Sequence, residues 1–149
     1  MILKNKRFQG WIGGSFFEWL GIDFVSRVEM LALSFHKDWD KLKVFHAARQ
    51  DMEALHYRMG ALPAAIFDTQ IAAMVCGFGE AVSYEKLVNR LVGAEVDKTL
   101  RFTDWARRPL TDAQLAYALA DVTHLARLFP VLRDRLQESG RLAWVEEEM

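Results

Sequence analysis

The sequence has a single cysteine, Cys76, among its 149 residues. One cysteine cannot form an internal disulfide, and it cannot supply the several thiolates of a cysteine-rich zinc site. Small secreted domains usually depend on such bridges, whereas proteins of a reducing compartment do not. The scarcity of cysteine therefore excludes a disulfide-stabilised fold, and we expect a cytoplasmic location.

Long apolar runs and an excess of one charge are also missing. No continuous apolar run reaches the roughly 18–20 residues that span a bilayer, so no membrane partner is predicted. We predict no signal peptide either, because no small-residue cleavage site follows the charged N-terminus. The net charge of −1 gives no general affinity for nucleic acid. Basic residues do cluster in 86–108, but Asp97 and Asp104 interrupt the cluster, which is also typical of solvated surface: Lys86, Arg90, Lys98, Arg101, Arg107 and Arg108.

Short apolar segments alternate with helical patterns from residue 43 onward. Strands are predicted at 43–47 and 65–67, and helices at 49–59, 70–75 and 83–93. Gly60 and Gly93 are expected to end two of these helices, and Asp68 or Thr69 to cap a third. This alternation is typical of an α/β fold.

The rest of the chain contains a segment without hydrophobic periodicity, followed by a long predicted helix. Residues 94–110 predict a loop, and a loop of this length in a compact domain is usually functional or disordered. Residues 111–114, Thr-Asp-Ala-Gln, form a capping box that begins the helix. We expect Pro130 to kink or break it and Gly140 to end it. One apolar stripe is predicted to face the core: Leu115, Ala118, Leu119, Val122, Leu125, Ala126 and Phe129.

Two acidic positions are candidates for chemistry. Tyr117 and Asp121 are four residues apart on one helix face, which points away from the predicted core stripe. They could line a cleft that holds a metal and a water, or form an ordinary hydrogen-bonded surface pair. Asp51 follows the first strand, either as an acid favoured by the helix dipole or as a carboxylate at a ligand site. His46 and His124 are predicted to be structural.

Several segments resemble the ribonuclease D family of 3′–5′ exonucleases. Residues 43–53, Lys-Val-Phe-His-Ala-Ala-Arg-Gln-Asp-Met-Glu, resemble its second exonuclease motif. Residues 117–121, Tyr-Ala-Leu-Ala-Asp, resemble its third motif in the tyrosine-bearing DEDDy form. The family's intermediate segments are matched in the same order by residues 67–73, 82–88 and 97–110. Because the matches share one order along residues 43–149, they are more specific together than singly.

The resemblance implies a ribonuclease H-like mixed sheet flanked by helices, and an exoribonuclease of the class that processes transfer-RNA precursors. It implies a mechanism with two ions of Mg²⁺ or Mn²⁺. By the same resemblance Asp51 and Asp121 are catalytic metal ligands, and Tyr117 is the catalytic residue that orients the attacking water. The partner would be a single-stranded RNA 3′ end. Candidates for binding it are Lys98, Arg101, Trp105 and Arg108, although Trp105 could instead pack beneath its loop.

Residues 1–42 depart from the family pattern. The first motif, Asp-x-Glu, is absent from them, and the nearest match has Val25 two positions after Asp23. Asp23 with Glu29 is a poor substitute pair, because six residues of strand separate them by about 20 Å. We therefore expect an atypical segment at 1–42, an incomplete N-terminal part of the sheet, and an exonuclease domain at 43–149. The alternative function is a catalytically impaired module that binds nucleic acid or a partner, a truncated remnant of the enzyme.

Overall fold

The computed structural model describes the backbone of residues 9–10 and all of 41–148 except the side chain of Arg58. Within these residues three short strands form one sheet in the order β1-β2-β3, with both pairs parallel. The strands are β1 (Gln9–Gly10), β2 (Lys43–Phe45) and β3 (Ile66–Asp68). The helices are α1 (Arg49–Met59), α2 (Thr69–Val75), α3 (Tyr84–Val92), α4 (Asp112–Glu138) and α5 (Leu142–Glu147).

The sheet and its crossover helix confirm the α/β class. β2 and β3 are parallel, with Val44 beside Phe67 and Phe45 beside Asp68, and α1 connects them. Parallel strands need such a crossover, and Val44 and Phe45 of β2 are both fully buried, as is usual for strands of a parallel sheet. β2 is shorter than predicted because Ala47 has a φ of +58°, which no extended strand can contain.

The carboxylate of Asp68 joins the ends of the two parallel strands. Its Oδ1 accepts hydrogen bonds from the backbone N–H of Gln70 at 2.7 Å and of Ala47 at 3.0 Å. Its Oδ2 accepts one from Ala48 N–H at 2.7 Å. The predicted cap of α2 is confirmed, and the same side chain also holds the turn that leads from β2 into α1.

The predicted core stripe of α4 is wrong in the first half of the helix. Leu115 and Leu119 are 46% and 64% exposed, whereas Tyr117 and Asp121 are buried. The buried side is covered by residues 94–110, which form an ordered loop without helix or strand, as predicted. This loop and α4 are joined by hydrogen bonds from Gln114 Nε2 to the Asp104 carbonyl and to Thr103 Oγ1.

The second half of α4 is the central helix of the core. Leu125 and Phe129 are buried, as predicted, and they are followed by buried Leu132 and Leu136. The helix begins at the predicted capping box and continues through Pro130 instead of breaking there. By length and composition alone α4 would also suit a membrane span. Its buried leucines instead pack in one cluster with the sheet residues Val44 and Phe67.

We expect Asp68→Ala to lower the free energy of unfolding by about 3 kcal/mol. The substitution leaves three backbone N–H groups without their charged acceptor, and hydrogen bonds to charged groups contribute about 1.5–3 kcal/mol each without being additive. The measurement is urea denaturation followed by circular dichroism. Asp112→Ala, at an exposed first-turn position of α4, is the matched control and should cost less than about 1 kcal/mol. Equal losses in the two variants would contradict the role of Asp68.

Candidate active site

Tyr117 and Asp121 lie one turn apart on the buried side of α4. Their residues are 5% and 3% exposed, so the expectation that this face points away from the core is wrong. The physical reason is tertiary, because the loop before α4 covers this side of the helix. The indole of Trp105 from that loop lies 5.8 Å from the Tyr117 ring, between centroids.

A chain of contacts connects Asp121 to the carboxyl end of β2. The Tyr84 hydroxyl, at the start of α3, donates to the backbone carbonyl of Asp121 at 2.7 Å. The Tyr84 ring meets the His46 ring edge-on at 5.6 Å. His46 Nδ1 lies 3.0 Å from Thr69 Oγ1, which donates to the Phe45 carbonyl at 2.8 Å. These contacts place α4 at Asp121 beside the end of the sheet where ligands bind in α/β folds.

Asp51 follows the same end of the sheet in the chain. It lies in the first turn of α1, directly beyond β2, and is 0% exposed. A buried acid in a helix first turn is favoured by the N-terminal end of the helix dipole, so that interpretation remains compatible with the position. The structure thus brings Asp51, Tyr117 and Asp121 into the buried part of one domain, and their catalytic roles stay predictions.

The pKa of Asp121 is strongly perturbed. Burial, and secondly the negative charge of Asp97, raise its pKa to about 7. Burial, and then the charges of Asp121 and Asp97, also raise the pKa of Tyr117, which therefore stays protonated at neutral pH. Asp97 itself lies on the loop before α4 and was not predicted to influence the site.

One oxygen of Asp121 fits a cation ligand. Oδ2 is buried and has no hydrogen-bond partner among residues 9–10 and 41–148. A nearby divalent cation would satisfy this oxygen and favour the ionised form, because opposite charge lowers a carboxyl pKa. The same described residues contain no group of three or more metal-ligating side chains. Asp23 and Glu29, the poor substitute pair for the first motif, lie outside the described residues.

His46 and His124 have the properties of structural histidines. Burial lowers the pKa of His46 to about 4, so its imidazole is neutral where it contacts Thr69 and Tyr84. Burial, and then the charge of Arg127, lower the pKa of His124. Sequence reasoning missed Tyr84, although it lies in a segment that matches the family. No local pattern indicates a hydroxyl whose partner is 37 residues away.

Trp105 packs beneath its loop. Its residue is 5% exposed, and its Nε1 donates to the Leu100 carbonyl at 3.2 Å. A side chain in this position has no free ring face for a base, so the structure favours the packing alternative.

The three predicted basic contacts each interact with other residues of the chain. Lys98 Nζ pairs with Glu85 Oε2 at 2.6 Å. The Arg101 guanidinium lies 5.1 Å from the exposed Phe102 ring. Arg108 Nη1 donates to the Trp105 carbonyl at 2.7 Å. These contacts order the loop, and a role in RNA binding stays a prediction.

Comparison with known proteins gives a consistent result. A family model described as 3′–5′ exonuclease matches residues 33–137, which begins ten residues before the predicted boundary at 43. The ribonuclease D of Granulibacter bethesdensis is 58% identical over 108 residues, which is 72% of this chain and 27% of that protein. The chain thus spans little more than a quarter of the length of this curated relative.

Solved structures share the fold. The crystal structure of Escherichia coli RNase D, an exoribonuclease involved in structured RNA processing, superposes with a TM-score of 0.67 at 35% identity. That match covers 72% of this chain and 29% of the other. Brucella melitensis NrnC with bound Mg²⁺ gives a TM-score of 0.64 at 31% identity, covering 78% and 56%. The same protein bound to pGG gives 0.64 at 32% identity, with the same coverage.

We expect Asp121→Asn to gain stability over the wild type as pH rises. The folded wild type keeps its proton up to about pH 7, whereas the unfolded chain loses it near the ordinary value of 3.8. Ionisation of this group therefore lowers the free energy of unfolding as pH rises from about 4 to about 7. Asparagine does not ionise, so the difference should grow by about 2–3 kcal/mol between about pH 5 and pH 8.

Urea denaturation at the two pH values measures this difference. Asp112→Asn, at an exposed position on the same helix, controls for the loss of one formal charge. A stability difference between Asp121→Asn and wild type that stays constant with pH would show that Asp121 is already ionised at pH 5 in the folded protein.

Proposed function

Since the chain belongs to the 3′–5′ exonuclease family, we propose that it hydrolyses phosphodiester bonds at single-stranded RNA 3′ ends. The substrates would be structured-RNA precursors of the transfer-RNA class. The observation that carries the proposal is the position of buried Tyr117 and Asp121 one turn apart on α4, within the region that matches the family. A phenol and a partly desolvated carboxylate one turn apart provide a water-positioning group beside a metal ligand.

Asp51 and Asp121 would hold divalent cations. Such cations supply charge stabilisation of the attacking and leaving oxygens when they are bound. Tyr117 keeps its proton at neutral pH, so its hydroxyl can donate to, or accept from, a water and orient it for attack. Tyr84 fixes the backbone of Asp121 through its hydrogen bond, which limits movement of the carboxylate.

Two properties of similar proteins support the substrate and the metal. E. coli RNase D is an exoribonuclease involved in structured RNA processing, and NrnC has been solved with pGG and with Mg²⁺. Both Mg²⁺ and Mn²⁺ suit carboxylate ligands, so we propose that either ion supports the reaction. The single cysteine is compatible with the proposed cytoplasmic location.

A second candidate function is a catalytically impaired module that binds RNA without cutting it. The observation that favours it is the absence of Asp-x-Glu from residues 1–42, with no cluster of three ligands in the described part of the chain. A site that lacks two carboxylates holds two divalent cations less firmly, since their charge is less fully neutralised.

A time course on 5′-labelled single-stranded RNA tests the proposed reaction. With Mg²⁺ or Mn²⁺ we expect a ladder of products shortened from the 3′ end, and no products in EDTA. Asp121→Asn should lower the rate at least about 100-fold, because it weakens a metal ligand. Tyr117→Phe should lower it by about 100-fold, because the ring stays and only the hydroxyl is lost.

The matched controls carry the same chemical changes at exposed positions. Tyr57→Phe on α1 and Asp112→Asn on α4 should keep the wild-type rate. Shortening that survives Asp121→Asn would contradict the proposed site. Absence of shortening from a wild-type protein that melts cooperatively and still binds RNA would establish the second candidate instead.

A further inference from the structure

An open cavity of about 450 Å³ lies beside the start of α3. Its lining includes Phe78, Val82 and Ser83 from the segment before the helix, and Lys86 and Arg90 from the helix itself. This volume lies within the range of small-ligand sites, which is about 300–1,000 Å³. Lys86 and Arg90 are four residues apart and therefore lie about 6 Å apart along the helix axis.

The two cations of the cavity have no carboxylate partner in the part of the chain that the structure describes. Among the described residues, neither Lys86 nor Arg90 forms an ion pair. Glu85, the acidic neighbour of Lys86 in the sequence, is paired with Lys98 instead. Ser83 is the N-cap residue of α3, and its side chain makes no capping hydrogen bond. The cavity wall thus offers two unneutralised cations, a hydroxyl and the N-terminal end of a helix to an anion.

The Phe78 ring borders the same cavity and lies close to two guanidinium groups, of which that of Arg90 also lines the cavity. The Phe78 ring lies 5.3 Å from the guanidinium carbon of Arg90 and 5.5 Å from that of Arg135 on α4. Arginine held against an aromatic ring presents a flat surface as well as a charge, and nucleic-acid bases stack on such surfaces. A phosphate ion alone makes no stacking contact with this ring, whereas the base of a nucleotide can stack on it.

Three consecutive residues connect the cavity to the candidate active site. Val82 and Ser83 line the cavity, and the next residue, Tyr84, donates its hydroxyl to the Asp121 backbone. The Val82 carbonyl accepts from Gln70 Nε2 at 3.3 Å, which ties this turn to α2. The start of α3 thus connects the wall of the cavity with the backbone at Asp121.

We propose that this cavity is a second RNA-binding site, which holds the backbone of nucleotides upstream of the 3′ end. Lys86 and Arg90 bind successive phosphates, and the Phe78–Arg90 surface supports a base. The inference rests on the proposed function, because it assumes an RNA whose 3′ end lies at Asp121. It assigns the basic residues of 86–108 two roles, since Lys98 pairs with Glu85 and Arg108 donates to the Trp105 carbonyl, whereas Lys86 and Arg90 face a cavity.

Binding of labelled RNA in EDTA tests the site without hydrolysis. The double variant Lys86→Gln/Arg90→Gln should bind a single-stranded RNA of about 12 nucleotides about tenfold more weakly than wild type. It should bind a dinucleotide with unchanged affinity, because a dinucleotide does not extend beyond the 3′-end site. The slope of log affinity against log salt should decrease by about 1.4, from two lost phosphate contacts at about 0.7 each.

Matched variants separate this site from general charge effects. Arg133→Gln removes a cation of α4 that does not line the cavity and is paired with Asp134, and it should change neither affinity nor slope. An equal loss with Arg133→Gln, or an equal loss for the dinucleotide, would overturn the proposal. Competition with polyglutamate of the same charge is a further test. If polyglutamate displaces the long RNA as effectively as unlabelled RNA does, the cavity binds acidic polymers in general and the proposal is overturned.

The proposed function and this inference fail in different measurements. If the wild type shortens RNA and Lys86→Gln/Arg90→Gln binds the long RNA normally, the cavity site is wrong and the exonuclease stands. If the wild type does not shorten RNA but the double variant loses affinity for the long strand only, the cavity site stands and catalysis does not.

Discussion

The Asp68 carboxylate accepts three backbone hydrogen bonds, and the rest of the site depends on this constraint. It holds Ala47, whose left-handed φ of +58° costs roughly 1–2 kcal/mol, and it fixes where α1 begins. Charged hydrogen bonds at about 1.5–3 kcal/mol each outweigh that cost. Because the chain turns sharply there, Asp51 in the first turn of α1 stays at the carboxyl end of β2.

Some sequence signals predicted the structure correctly because they depend on nearby residues, whereas others depend on how the whole chain folds. Gly60 ends α1 with a φ of +69°, and the Thr111–Gln114 box begins α4, because these signals concern hydrogen bonds within a few residues. The apolar stripe of α4 gave the correct face at Leu125 and the wrong one at Leu119. Periodicity reports which side of a helix is apolar, and it does not report that the loop 94–110 covers the other side.

The candidate site shows the same division. Its three main residues, Asp51, Tyr117 and Asp121, were predicted because short motifs resemble those of a family. The motifs do not indicate which residues from other elements contact these three. Tyr84 supports Asp121 across 37 residues, and Asp97 raises its pKa from a loop without regular structure. Contacts of this range depend on how α3, α4 and the loop pack, so no window of sequence contains them.

Burial gives Asp121 opposite effects on stability and on metal binding. A carboxyl group with a pKa of about 7 destabilises the folded chain when it ionises, because its oxygen Oδ2 has lost water without gaining a partner in the described residues. The same low-dielectric position strengthens the attraction of that oxygen for a cation, because Coulomb energy rises as the dielectric constant falls. If Asp121 binds a cation as proposed, metal affinity and folding stability are linked at this residue. A cation bound at the proposed site would offset the energetic cost of ionised Asp121.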